Sequence, residues 1–405
     1  MCRSRLILPS LAAGWLALGC TTEPKFASDP MAPGGVDSDS FIVVATNAPG
    51  SPVPGLTSRE RQAFNQGMQV FATIFTPETG LGPLFNSVSC QECHEEPSIG
   101  GSGDEVEVHV SAFQAGSCQT LDALGGPVVQ QQVTPQLEAT LGIQLEPTPD
   151  GATGTGFRSA PPLFGLGLLD AVSDRTLLYL ARIRYPDGVH GRAAVLSNRR
   201  VGRFGRKATV ASLTEFNAGA FFNEMGITNR LNLTEGTVAG QVLPAGVDLL
   251  FPEPEIDAAS LAATDAFVHL LAPPAGQRLT AETRHGRELF HQIRCTSCHI
   301  PILPTGNSAF RALRFKLVRV YSDLLLHDMG PEEADICNGV ATPSEFRTQP
   351  LMGMQYLDFF MHDGKAQSID EAIQRHGGEA AAARDRFSGL VPSDQAALVA
   401  FVQSL

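Results

Sequence analysis

Tryptophan is almost missing from this chain. The single one, Trp15, lies in an apolar leader, and tyrosine occurs only four times. Cysteine is scarce as well: eight in 405 residues, where a small disulfide scaffold would carry roughly 8–10%. The cysteines must therefore be explained by where they stand. Basic residues are outnumbered 29 to 42, for a net charge of −13. Such a chain is not expected to bind nucleic acid, because neutralising phosphates takes clustered Lys and Arg. After the leader, no stretch reaches the roughly 18 consecutive apolar residues that read as a membrane-spanning helix. With 43% hydrophobic and 18% charged residues, the composition is otherwise that of an ordinary globular protein. Its length predicts two or three domains at roughly 100–200 residues each.

The leader itself reads MCRSRLILPSLAAGWLALGC. Arg3 and Arg5 precede an apolar stretch too short to span a bilayer, and Ala17-Leu18-Gly19-Cys20 follows. This is the pattern of an export signal, and small Gly19 before Cys20 resembles a bacterial lipoprotein cleavage box. Residues 1–20 are expected to be that signal, with membrane attachment only through a lipid at Cys20. Residues 21–55, rich in Pro, Gly, Ser and Thr, read as a flexible tether. The expected location is the periplasm or cell envelope, where disulfides and covalent haem attachment are possible.

Two motifs carry the chemistry. Cys90-Gln-Glu-Cys93-His94 and Cys295-Thr-Ser-Cys298-His299 both read Cys-x-x-Cys-His. This is the attachment signature of c-type haem: two thiols bond the porphyrin, and the adjacent His is placed to ligate the iron. A redox dithiol needs no following His, and a zinc site needs a second ligand pair that neither motif has nearby. Two c-type haems are expected, held by Cys90, Cys93, Cys295 and Cys298, with His94 and His299 as iron ligands.

The chain reads as duplicated around these motifs. Thr57 and Glu60 form a capping box that opens one helix before the first motif, and Leu279 to Phe290 precedes the second. Phe157-Arg158 to Gly165 pairs with Phe346-Arg347 to Gly353, and in step with these Asp170 pairs with Asp358. Ser368 and Glu371 form another capping box, opening a helix near Ile369 that runs toward His376. Residues 379–389 predict a second short helix. Ser393 is expected to cap a last one, with Leu398, Phe401, Val402 and Leu405 on one face. Only Glu105 to Val110 alternates like a strand. The expected fold is mainly α: two cytochrome c-like domains, 56–255 and 256–405, each with one covalently bound haem, with long loops and a few short strands.

The sequence resembles the bacterial di-haem oxidoreductase family, whose members are described as peroxidases and sometimes as thiol oxidoreductases. The matching stretches are the two haem motifs, Gly202 to Ala208, Met225 to Asn229, Ser322 to Gly330, Phe346 to Gly353, His362-Asp363-Gly364 and His376 to Ala380. More distantly it is similar to di-haem cytochrome c peroxidases. The resemblance implies one substrate-binding haem and one electron-transfer haem. It also implies a distal ligand at the position of His376, where the peroxidases carry Met; His in place of Met lowers the reduction potential. For the N-terminal haem the relatives leave the sixth position open or fill it with a displaceable His. His109 is the only His nearby, with a strand or loop role as the alternative. The relatives place an acid after the first motif to move protons. Asp170 is the candidate here, with Glu105 and Glu107 as alternatives, and a helix N-terminal acid is the bland reading of Asp170. Arg158 and Arg347 are candidates to pair with haem propionates. Cys118 and Cys337 are left over, and an oxidising compartment allows a disulfide between them.

The expected function is that of an exported di-haem c-type oxidoreductase, peroxidase-like, with an N-terminal active-site haem and a C-terminal electron-transfer haem. Its expected partners are a small oxidant such as hydrogen peroxide and an electron-donor protein or small redox carrier. The alternatives are a non-catalytic electron-transfer cytochrome and a haem oxygenase acting on an organic substrate.

Overall fold

The computed structural model describes residues 45–405 apart from residue 249. The leader, Cys20 and residues 21–44 of the tether lie outside the described residues. Eleven α-helices are found among the described residues: α1 (Ser58–Phe71), α2 (Cys90–Cys93), α3 (Pro135–Leu141), α4 (Leu166–Asp170), α5 (Asp174–Leu180), α6 (Leu213–Met225), α7 (Ala258–Leu270), α8 (Ala281–Gln292), α9 (Ile369–Gln374), α10 (Ala381–Ser388) and α11 (Pro392–Gln403). None is long and apolar enough to cross a membrane.

Two helix crossings organise the core, and they repeat one another. The Thr57–Glu60 capping box starts α1, whose apolar face carries Phe64, Gly67 and Phe71 into the interior. α1 crosses α7 at Gly67, where an added Cβ would fall 1.8 Å from the Ala263 carbonyl oxygen. α8 crosses α11 at Gly286, where an added Cβ would fall 1.9 Å from the Ala397 carbonyl oxygen. Only glycine lets the two backbones come this close. One turn beyond each glycine stands a phenylalanine. Phe71 packs on Phe267 of α7 with ring centroids 5.0 Å apart, and Phe290 packs on Phe401 of α11 at 5.5 Å. The Pro-Gly loops repeat too. Gly165 N–H donates to the Leu271 carbonyl just past α7, and Gly353 N–H donates to the Leu405 carbonyl just past α11, both at 3.1 Å. The duplication read from the sequence is thus a repeated packing unit.

Within the first repeat, between its haem motif and its Pro-Gly loop, lies structure the sequence reading largely missed. The strand Val106–Gln114 is the centre of an antiparallel sheet, pairing with Ser117–Gln119, Val128–Val129 and Gly154–Ser159. Its register places Glu107 opposite Arg158 and His109 opposite Gly156. The expected mainly α fold of two cytochrome c-like domains is corrected accordingly. Among the described residues 34% are helical and 16% strand, a mixed architecture. Most strands are only two or three residues long and pair across loops. Such short pairings leave no period-2 pattern to read. The last helix also starts at Pro392 rather than after a Ser393 cap, with Val391 as its N-cap, because proline suits the first helical turn.

Cys118, at the edge of the sheet, is joined by a disulfide to Cys337 in the C-terminal part of the chain.

Candidate haem sites

The second motif is the clearer of the two. Cys295 to Ser297 form a single 3-10 turn directly after α8. Cys295 and Cys298 are free thiols, not bonded to one another. Burial pushes the Cys295 thiol up to about 12 and raises Cys298 as well. A redox or metal-binding pair would instead need stabilised thiolates. His299 follows, with Nδ1 2.8 Å from the Tyr321 carbonyl oxygen. That hydrogen bond makes Nδ1 the protonated nitrogen and leaves the Nε2 lone pair free.

His376 faces His299. It lies just past α9, which the Ser368 cap starts, with Nδ1 2.7 Å from the Ala372 carbonyl oxygen, so its Nε2 is free by the same logic. The two imidazole centroids are 6.4 Å apart. A metal–imidazole bond is about 2.0 Å, and a ring centroid sits just over 1 Å behind its nitrogen, so two imidazoles on one ion lie roughly 6.3 Å apart. Burial lowers both groups, His299 to about 4, which keeps them neutral near pH 7.

These side chains line a cavity of about 530 Å³, walled by Phe290, Met354, Phe360, Ile369, Leu398 and Val402. Its volume is within the range of small-molecule and cofactor sites. Arg206 and Arg347 also line it. Their hydrogen bonds go to neutral oxygens: Arg206 to Gln349 Oε1 and the Ser159 carbonyl, Arg347 to Gln349 Oε1 and the carbonyls of Gly205 and Thr348. Burial lowers Arg206 to about 9 and Arg347 to about 10; the Arg347 and Arg158 charges add to the shift at Arg206. Two cations so placed call for carboxylates, which haem propionates supply. Arg158 is differently placed, since it pairs with Asp335. Thiols, facing imidazoles, apolar walls and paired guanidiniums together fit a haem.

The first motif is built in the same way. Ser89 caps the four-residue α2 by accepting from Glu92 N–H. Cys90 and Cys93 are free, both pushed up to about 12 by burial. His94 Nδ1 is 3.0 Å from the Gly101 carbonyl oxygen, again leaving Nε2 free. Phe71 lies 6.2 Å from the His94 ring, as Phe290 lies 6.3 Å from His299. Among the described residues, no second imidazole is in ring contact with His94. Acids gather here instead. Cys93 feels the carboxylates of Glu105, Glu224 and Glu107, after burial itself. Burial and the adjacent Glu107 carboxylate push Glu224 well above the usual carboxylate range. Burial would raise Glu107 also, but the hydrogen bond with His109 overrides it and the carboxyl is lowered.

The remaining candidates are now placed. His109 Nε2 is 2.9 Å from Glu107 Oε2, so that nitrogen is engaged by a carboxylate. Asp170, at the end of α4, lies at a helix junction. Its Oδ1 accepts from Leu213 N–H at 2.9 Å and its Oδ2 is 3.3 Å from His269 Nε2. Both oxygens are taken, and the bond with His269 overrides burial to hold the carboxyl low. Asp170 ends α4 rather than opening a helix, and it accepts from the first N–H of α6. Glu224 was missed in the sequence because nothing near it in the chain marks it; only folding brings α6 to the first motif. His327 is buried between Asp323 and Glu379 at 2.9 Å each, with Cys298 Sγ 3.6 Å from its Nδ1.

Solved structures give distant likenesses. Hydrazine synthase from Kuenenia stuttgartiensis is 12% identical, over 89% of this chain and 96% of that one, with a TM-score of 0.37. A MauG-like protein associated with microbial copper homeostasis is 16% identical over 90% and 93%, at 0.41. The diheme peroxidase BthA from Burkholderia thailandensis is 15% identical over 90% and 91%, at 0.41. None of these likenesses is strong enough to assign a site. No curated protein sequence matches the chain. A family model described as "Di-haem oxidoreductase, putative peroxidase" matches residues 150–405, a stretch that contains the second motif and His376. On that match, together with its two Cys-x-x-Cys-His sites, the chain belongs to the di-haem oxidoreductase family.

Proposed function

We propose that the chain is a peroxidase-like enzyme with two covalently attached c-type haems in unequal roles. Cys90, Cys93 and His94 hold the first haem, and Cys295, Cys298, His299 and His376 hold the second. The single observation that carries this reading is the asymmetry of the two histidines. His299 faces a second imidazole at 6.4 Å, whereas His94 faces none in ring contact. A six-coordinate site suits electron transfer, and a site without a second strong ligand suits binding of a small oxidant.

When bound, the haems supply the electrons for reducing a peroxide. The chain's own residues supply protons and positions. Breaking an O–O bond needs proton delivery to the departing oxygen. Glu224, whose carboxyl burial and Glu107 push upward, is the proposed donor, and Glu107 is positioned by His109. His94 and His299 are kept in one tautomer by the Gly101 and Tyr321 carbonyls. Arg206 and Arg347 anchor propionates and compensate their charge. An envelope location with an N-terminal lipid, and an electron-donor protein or small carrier as partner, complete the reading.

EPR of the purified ferric protein tests it. One low-spin His–His signal and one high-spin signal that converts on adding cyanide are expected. Two low-spin signals, both indifferent to cyanide and to peroxide, would overturn the enzymatic reading.

A further inference from the structure

Well away in sequence from both motifs, the chain between α6 and α7 folds around acids. Among the described residues of this segment one small hairpin forms, Thr237–Val238 with Gln241–Val242. Four carboxylates from this segment, those of Glu235, Asp248, Glu253 and Glu255, bring one oxygen each to within 4.8 Å of one another. Glu255 is 7% exposed. Its Oε2 accepts from Thr228 N–H at 2.8 Å, while its Oε1 is buried with no partner. Glu235 Oε1 is also buried and unpartnered. Thr228 Oγ1 donates to Glu253, tying a third acid to the group. Burial raises Glu235 to about 10, Glu255 to about 8 and Asp248 to about 6, and the other carboxylates of the cluster add to each shift. A buried anion without a partner is costly, and here two such oxygens sit in one place.

We propose that Glu235, Asp248, Glu253 and Glu255 form a calcium site that fastens the α6–α7 segment. The class of ion follows from the donors. All four are carboxylates, which suit hard cations; zinc prefers nitrogen and sulfur. Calcium binds oxygens at about 2.3–2.6 Å, so two of its ligands lie at most about 5 Å apart, and its flexible shell accepts mixed geometry. Magnesium demands a near-ideal octahedron at about 2.1 Å, with ligands no more than about 4.2 Å apart. Oxygens that all lie within 4.8 Å of one another are within calcium's reach, and a shell of four carboxylates suits calcium better than magnesium, which usually keeps several waters. Orphan Oε1 atoms on Glu235 and Glu255 become ligands, and Thr228 holds the acids in place from behind.

The test uses the haem-loaded protein stripped with EDTA, then titrated with calcium chloride alone by calorimetry and melted with and without the ion. Wild type is expected to bind one more calcium per chain than the Glu235→Gln/Glu255→Gln variant, and to melt several degrees higher in calcium than in EDTA. In EDTA the order reverses: the variant melts above wild type, because two uncompensated carboxylates have been neutralised. That crossing distinguishes a site from a merely damaging substitution. Should the double variant not fold, Asp248→Asn is measured instead, with at least tenfold weaker binding expected. Equal calcium stoichiometry and affinity in wild type and variant, or a wild type that binds no calcium, would overturn the proposal. Neither readout depends on enzymatic activity, so its failure is separate from any failure of the haem assignment.

Discussion

His269 of α7 is clamped to Asp170 of α4, with Nε2 3.3 Å from Oδ2, while Asp265 approaches Nδ1 from one turn earlier on the same helix. The pair closes a junction of α4, α6 and α7, with Arg203 among the charges acting on Asp170. An ion pair this enclosed is structural, and its effect is on stability.

That effect has a sign. Burial would lower His269, but Asp170 and Asp265 override it and raise the group to about 10. A raised folded-state pKa gives stability that is full below the unfolded value near 6.5 and lost as pH climbs through about 10. Between pH 7 and pH 9 the loss amounts to about 2–3 kcal/mol. Chemical denaturation across that range is expected to show the fall in wild type and a flatter profile in His269→Gln. Equal slopes in the two proteins would refute it.

Replacing His376 tests the second site. His376→Met is expected to retain haem and a six-coordinate low-spin iron, and to raise its midpoint potential by on the order of 100 mV, since thioether sulfur donates less to ferric iron. Spectroelectrochemistry reads the shift. An unchanged potential would mean that His376 does not ligate.

Proton delivery predicts a different pattern. Glu224→Gln and Glu107→Gln are each expected to slow peroxide turnover by about 10²–10⁴-fold while leaving both haem spectra in place. Asp170→Asn is expected to lower stability more than turnover per folded molecule. Stopped-flow rates beside melting curves separate the two cases.

The helix crossings make the bluntest prediction. Gly67→Ala and Gly286→Ala each push a methyl group into a backbone carbonyl less than 2 Å away. Each is expected to cost about 3 kcal/mol or more, and Gly286→Ala to lower haem incorporation at the second motif. Gly219 of α6, whose added Cβ would meet nothing closer than 3.8 Å, is the control, with an alanine there expected to be neutral or slightly stabilising.

Much of this site was legible because its chemistry is local. Cys-x-x-Cys-His declares itself within five residues, and the Ser368 cap placed the start of the helix that leads to His376. What stayed hidden depends on distance along the chain. Glu224 reaches the first motif from 130 residues away through α6. Arg347 was named as a propionate partner, but that Arg206 joins it at one Gln349 side chain was not. Asp170 was named as a proton carrier because the relatives place an acid in a loop after the first motif; only the fold reveals that Leu213 N–H and His269 already occupy it. Of the sheet only part of the central strand was read, because two of its four strands are two or three residues long.

The bond between Cys118 and Cys337 spans 219 positions and turns everything between them into a ring. A protease that clips the exposed stretch near Val242 would leave two fragments that still migrate as one molecule. Only after a reductant is added would they part, one carrying each haem, so that the same gel lane with and without thiol tells which colour belongs to which half.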